Sequence, residues 1–170
     1  MAVTFDIETT GLDPSTAKVL LVGMKKGTRI MQWKLWEIQD EGELILKALA
    51  EIDSIFETIV GYNNLKFDVP FMLERLRILG QYKAEFFKIY HKKWFDLYQY
   101  LGDDYKNLDH WCNQARIKKK YPNLKGKDMP VFFERQDYQK IINHNLDDLR
   151  TSDRLFHFLR KENPQLIPFE

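Results

Sequence analysis

Apolar residues follow two rhythms along this chain, and the change of rhythm separates a strand-rich start from a helix-rich remainder. Positions 2–7 (Ala-Val-Thr-Phe-Asp-Ile) are β-branched and aromatic and predict a short strand. Gly11 and the Asp13-Pro14 pair then mark a turn. The apolar run 19–24 predicts a second strand and the alternating run 29–36 a third, with Lys25-Lys26-Gly27 as the hairpin link. All three are expected to pair antiparallel. From Asp40 the period changes: Leu44, Ile45, Ala48, Leu49 and Ile52 recur at helical spacing, behind acids that suit a helix N-terminus. Residues 58–62 form another strand pattern, Asn63-Asn64 a polar turn, and 69–79 a helix with Gly80 as its C-cap. The stretch 86–90 fits either state. Helices are expected over 96–101, 108–117 and 137–161, the last stopping before Pro164. Strands first, then alternation of helix and strand, predict a mixed sheet with helices on its faces. With no repeat, low-complexity tract or Gly/Ser linker, one domain over 1–170 is expected.

Composition narrows the class. A chain of 170 residues can bury roughly 70% of the surface that it exposes when unfolded. Its single Cys excludes a disulfide scaffold and makes a reducing, cytoplasmic compartment the expectation. The first ten residues carry Asp6 and Glu8 without a basic lead-in, unlike a signal peptide, and no apolar run reaches the roughly 20 residues of a membrane span. The balance of 26 basic against 25 acidic side chains gives a net charge of +1. That argues against coating long duplex, and leaves room for a small site where acids serve another purpose beside nucleic acid.

Asp6 and Glu8 stand two apart in the first strand and therefore project from one face. Neighbouring carboxylates repel unless a cation lies between them. Either this strand is an edge whose acids face water, or the acids hold a hard divalent cation such as Mg²⁺ or Mn²⁺. Asp68, just before Val69-Pro70, reads first as a helix N-cap. His144 and Asp148 are four apart and share a helix face, which a surface contact would also explain. Asp147 points about 100° away from Asp148, so only one of the two can join a common site.

Taken in order, Asp6-Ile7-Glu8-Thr9-Thr10-Gly11, then Gly61-Tyr62-Asn63-Asn64-Leu65-Lys66-Phe67-Asp68-Val69-Pro70, then a helix with Asp148, the sequence resembles the three-motif pattern of the DEDD (DnaQ-like) 3′–5′ exonuclease superfamily. The resemblance spans essentially the whole chain. It implies an RNase H-like α/β fold: a mixed five-stranded sheet, three antiparallel N-terminal strands followed by parallel ones, flanked by helices. It further implies that Asp6, Glu8, Asp68 and Asp148 hold two divalent ions, Mg²⁺ or Mn²⁺. Two such ions about 3.5–4 Å apart can activate a water and neutralise a scissile phosphate. The implied activity is 3′–5′ hydrolysis of single-stranded ends, DNA before RNA, releasing nucleoside monophosphates. An exoribonuclease would use the same acids. A non-catalytic nucleic-acid-binding or polymerase-associated module is the reading from another class, and clustered acids beside phosphates speak against it. Self-association and a polymerase or repair partner stay open.

The superfamily divides at its third motif: one branch has a His five residues before the last Asp, the other a Tyr four before it. Here His144 stands four before Asp148 and Asn143 five before, joining one branch's residue to the other's spacing. His144 is assigned as general base, because an imidazole titrates near neutral pH. The resemblance also carries Thr10, Gly11 and Leu12 to the 3′-terminal nucleotide, with Leu12 as a wedge, and Asn63 to the substrate backbone. Asp96 reads as a helix cap. The run 116–127 holds six basic residues and no acid, and Lys118, Lys119 and Lys120 are its candidates for phosphate contacts.

Overall fold

The computed structural model describes residues 2–102 and 106–166. Five strands form one mixed sheet in the order β3-β2-β1-β4-β5. They are β1 (Ala2–Thr9), β2 (Val19–Lys26), β3 (Arg29–Lys34), β4 (Thr58–Gly61) and β5 (Trp94–Asp96). β1, β2 and β3 make the expected antiparallel meander, with Phe5 opposite Met24 and Asp6 opposite Gly23. β4 joins β1 in parallel, Val3 opposite Ile59, and β5 joins β4 in parallel. β1 is thus the central strand. An edge strand with water-facing acids is not what forms.

The period of two along β1 decides what lies on each face. Val3, Phe5 and Ile7 enter a core with Leu44, Ile45, Ala48 and Ile52 of α2 (Glu41–Ser54) and Val69, Met72 and Leu76 of α3 (Asp68–Ile78). The other face is covered by α7 (Tyr138–Glu162), the longest helix of the described residues, which packs against β1, β2 and β4. Beside it Leu155 and Phe156 meet Ala2, Val60 and Leu97, and Ile141 meets Leu20 and Leu21. Asp40 caps α2 by accepting a hydrogen bond from the Glu43 amide at 2.8 Å.

Several boundaries differ from the sequence expectation for local reasons. The alternation over 29–36 overruns its strand: Leu35–Ile38 is a single helical turn, α1, closed by Gln39 at φ 63°. Asp96 ends β5 and also caps α4 (Leu97–Leu101), accepting from the Tyr98 amide at 3.0 Å. The cap reading of Asp96 holds, while the three-residue strand before it is too short to carry a period. The stretch 86–90 lies in a 3-10 segment, Ala84–His91. α5 (Leu108–Gln114) ends before Arg116, which takes φ 57°. α6 (Met129–Glu134), six residues around Pro130, was not expected. No helix among the described residues is long and apolar enough to cross a membrane.

Candidate active site at the end of the central strand

The β1–β4 ladder ends at Thr4 paired with Val60, although β1 continues to Thr9. Past that point side chains replace the missing strand. Asn64 Nδ2 donates to the Phe5 carbonyl at 3.3 Å, and the Ile7 amide donates to Asp68 Oδ1 at 3.1 Å. A crevice therefore opens where the sheet changes from antiparallel to parallel pairing, the usual ligand position in open α/β sheets. Asp68 is the first residue of α3, not its cap: the capping position is Phe67, and Asp68 turns its buried carboxylate to β1.

Asp6 and Glu8 leave β1 on the α7 side. Glu8 Oε1 lies 2.7 Å from His144 Nδ1, and that nitrogen lies 3.6 Å from Asp148 Oδ2. Glu8, His144 and Asp148 can each turn one ligand atom to within 4.8 Å of the others, a spacing that can hold a metal ion. Asp6 Oδ2 accepts from Asn145 Nδ2 at 2.8 Å. Burial, reinforced by the fields of Glu8, Asp148 and Asp68, raises the Asp6 carboxyl well above the usual carboxylate range. The Asp68 carboxyl is pushed up to about 7, chiefly by burial and against the hydrogen bonds of Asn64 and Ile7. Glu8 is raised by burial despite its bond to His144. Burial works against the charged form of His144, but its bond to Glu8 outweighs this and raises its pKa.

Asp147 and Asp148 separate as the helical geometry requires. Asp147 Oδ2 accepts from the Tyr121 amide at 2.5 Å, whereas Asp148 faces the site. Asp148 also meets Lys119, whose Nζ lies 2.5 Å from Asp148 Oδ1 and 2.7 Å from Asp109 Oδ1. The Lys119 side chain is only 11% exposed. Burial disfavours its charge, but Asp148 and Asp109 overcome this and raise its pKa. Lys118 and Lys120 are exposed, so the three lysines do not form one surface group. A cavity of about 320 Å³ opens beside Asp148 and His144, with Asp109, Lys119 and Lys125 on its wall.

The remaining residues from the motifs lie around the crevice. Leu12 is 82% exposed, next to Gly11 in the turn after β1. Thr10 Oγ1 accepts from the Lys18 amide at 2.9 Å, and the Gly11 carbonyl accepts from Thr9 Oγ1 at 2.7 Å. Asn63 takes φ 67°, and its amide donates to Asp96 Oδ1 at 2.8 Å.

Two supports went unseen in the sequence. Asn145 is fixed at both ends of its amide, donating to Asp6 and accepting from Gln32 Nε2 at 2.9 Å. Gly23, opposite Asp6, makes room for it: a Cβ there would stand 1.9 Å from Asn145 Oδ1. Asp109 as the second partner of Lys119 is equally new. None of these contacts leaves a local pattern, since each joins residues distant in the chain.

A mixed β3-β2-β1-β4-β5 sheet with helices on both faces and acids gathered at its central strand defines an RNase H-like α/β domain, a fold typical of nucleases. The chain belongs to the RNase H superfamily, whose family profile matches residues 3–160. No curated protein sequence matches it. Among solved structures it is similar to the family B DNA polymerase of the hyperthermophilic archaeon Pyrobaculum calidifontis, with a TM-score of 0.73 and 20% identity over 95% of this chain and 24% of that one. It is similar to product-bound exonuclease I, with a TM-score of 0.66 and 11% identity over 97% of this chain and 44% of that one. E. coli exonuclease I in complex with a dA16 oligonucleotide gives 0.65 and 12% over 97% and 42%. The chain thus spans about a quarter of the polymerase and less than half of exonuclease I.

Proposed function

We propose that this protein is a metal-dependent 3′–5′ exonuclease that removes nucleoside monophosphates from single-stranded DNA ends. The observation that carries this reading is the convergence of Asp6, Glu8, Asp68 and Asp148, four acids from three distant segments, at one crevice of the central strand. The donors fit hard divalent cations such as Mg²⁺ or Mn²⁺, because they are carboxylate oxygens in a partly solvated site. Burial and the field of three other acids raise the Asp6 carboxyl, and a cation bound among these acids would offset both. Two ions held by these four acids would lower the pKa of an attacking water and offset charge on the scissile phosphate.

The chain's own residues have separate tasks in this reading. His144, lining the cavity and held through Nδ1 by Glu8, accepts the proton of the attacking water. Lys119 positions Asp148. Asn145 fixes the orientation of Asp6. Leu12, projecting into solvent beside the first motif, is placed to wedge against the terminal base, with Thr10, Gly11 and Asn63 around the terminal nucleotide. Lys118 and Lys120 contribute phosphate contacts.

The test is incubation with 5′-labelled single-stranded DNA, duplex DNA and RNA, in Mg²⁺, Mn²⁺ or EDTA. Shortening of single-stranded DNA from its 3′ end is expected in either metal, with none in EDTA and none with Asp6→Ala. Preferential cleavage of RNA would make the enzyme an exoribonuclease. Binding without hydrolysis in both metals would leave only a nucleic-acid-binding module.

A further inference from the structure

A second concavity lies on the neighbouring side of α7. Lys118, Lys120, Arg150 and Arg154 converge on a cavity of about 180 Å³, into which Asp147 and Thr151 also open. Among the described residues, none of those four basic groups lies within ion-pair distance of a carboxylate. The one acid in the cavity, Asp147, has Oδ2 engaged by the Tyr121 amide. In a chain whose net charge is only +1, four unpaired positive charges at one concavity are a marked local excess.

The helix geometry says where this concavity lies relative to the reactive acids. Arg150 and Arg154 are one turn apart on one face, and like charges at that spacing disfavour the helix slightly. They lie roughly a third of a turn around α7 from His144 and Asp148, and Arg154 is about 9 Å further along the axis than Asp148. Lys119 borders both concavities, with its Nζ committed to Asp148 and Asp109. The positive surface therefore begins beside the catalytic crevice and recedes from it. Guanidinium groups add planar, paired donors suited to phosphate oxygens.

We infer that Arg150 and Arg154, with Lys118 and Lys120, form an anchoring site for substrate phosphodiesters remote from the scissile bond, so that the grip on a strand extends beyond its terminal nucleotide. The inference rests on the nuclease reading for the identity of the strand, but its test does not depend on hydrolysis. The binding of fluorescent single-stranded dT12 and dT3 is measured in EDTA across a series of salt concentrations. Wild type, Arg150→Gln/Arg154→Gln, Arg150→Lys/Arg154→Lys and Lys118→Gln/Lys120→Gln are compared, each checked for folding by circular dichroism.

For dT12, the glutamine variant of the arginine pair is expected to bind on the order of ten-fold more weakly at low salt. Its log–log salt slope should be shallower by about 1.4, since each single-strand phosphate contact contributes about 0.7. The lysine variant should recover most of the slope. For dT3, too short to reach the anchor, wild type and variants should converge. An arginine-pair glutamine variant with wild-type affinity and slope on dT12 overturns the anchor, as does equal weakening on dT3. Should that variant misfold, the Lys118→Gln/Lys120→Gln pair decides by the same criteria. Hydrolysis by wild type in Mn²⁺ is scored separately. A protein whose dT12 binding depends on the arginines but which does not cleave keeps the anchor and loses the exonuclease reading.

Discussion

Two groups of buried acids occupy this small domain, and they are treated in opposite ways. Glu41, at the start of α2, receives Arg75 Nε at 2.8 Å and Nη2 at 2.7 Å, and the Val19 amide at 2.8 Å. Arg75 uses its remaining nitrogen on the Pro14 carbonyl, also at 2.8 Å. Charge and hydrogen-bond capacity are both matched, so the pair joins α2, α3 and the start of β2 as a closed unit. Around Asp6, by contrast, four buried or half-buried carboxylates gather with one lysine, held at the margin by Asp148. Glu8 has His144 and Asp68 the Ile7 amide, but Asp6 itself receives a single side-chain hydrogen bond, from Asn145. A buried charge that folding leaves unmatched is costly, and such sites are where function concentrates. The first cluster serves the fold, and the second is where the proposed cations would bind.

The contrast can be broken from either side, beginning with the largest effect. Asp6→Asn is expected to reduce turnover by at least about 10³-fold, equivalent to about 4 kcal/mol of barrier. The same substitution should stabilise the metal-free fold by on the order of 1 kcal/mol, measured by urea unfolding in EDTA, because it removes an unmatched charge. Arg75→Met should do the reverse: a stability loss of about 3–5 kcal/mol, with Glu41 stranded, and activity retained in the folded fraction. If Asp6→Asn instead destabilises as Arg75→Met does, the two clusters are not different in kind.

A smaller effect sharpens the same point through pH. An acid whose folded pKa is raised binds more protons folded than unfolded, so stability falls as pH rises between the two values. With Asp68 near 7 and Asp6 also raised, metal-free stability is expected to fall between about pH 4 and pH 7. Divalent ions need the deprotonated acids, so their stabilisation should grow over the same interval. At pH 8 and 100-fold above Kd it should reach about 2.7 kcal/mol. Thermal melts with Mn²⁺ at pH 5 and pH 8 measure this, and an equal shift at both would be the contrary result. Smallest is Gly23→Ala, which must displace Asn145: a cost of about 1–3 kcal/mol from overpacking, with a selective fall in kcat from misdirecting Asp6.

How much was legible in the sequence follows from the range of each interaction. Asp6 and Glu8 could be placed on one face because a strand's period is two, and Asp147 could be separated from Asp148 because a helix turns 100° per residue. The meander and the two largest helices carried long, consistent periods. Whether β1 was an edge strand could not be decided, because neighbours in a sheet are chosen by contacts far along the chain, and β1 proves central. The cap reading of Asp68 failed because a residue at a helix start serves its own helix or another element with the same local sequence. Asn145, 139 residues from Asp6, and Arg75, 34 from Glu41, leave no local trace at all.

The interrupted ladder of β1 has a consequence for observation as well as for chemistry. The Ile7 amide is satisfied by the Asp68 side chain where a neighbouring strand would ordinarily serve. Its hydrogen exchange therefore reports the opening of one carboxylate contact between α3 and the central strand, whereas amides bonded within the β1–β2 ladder exchange only when strands part. A single backbone proton thus gives a spectroscopic view of the site's second motif without a label, a substrate or turnover.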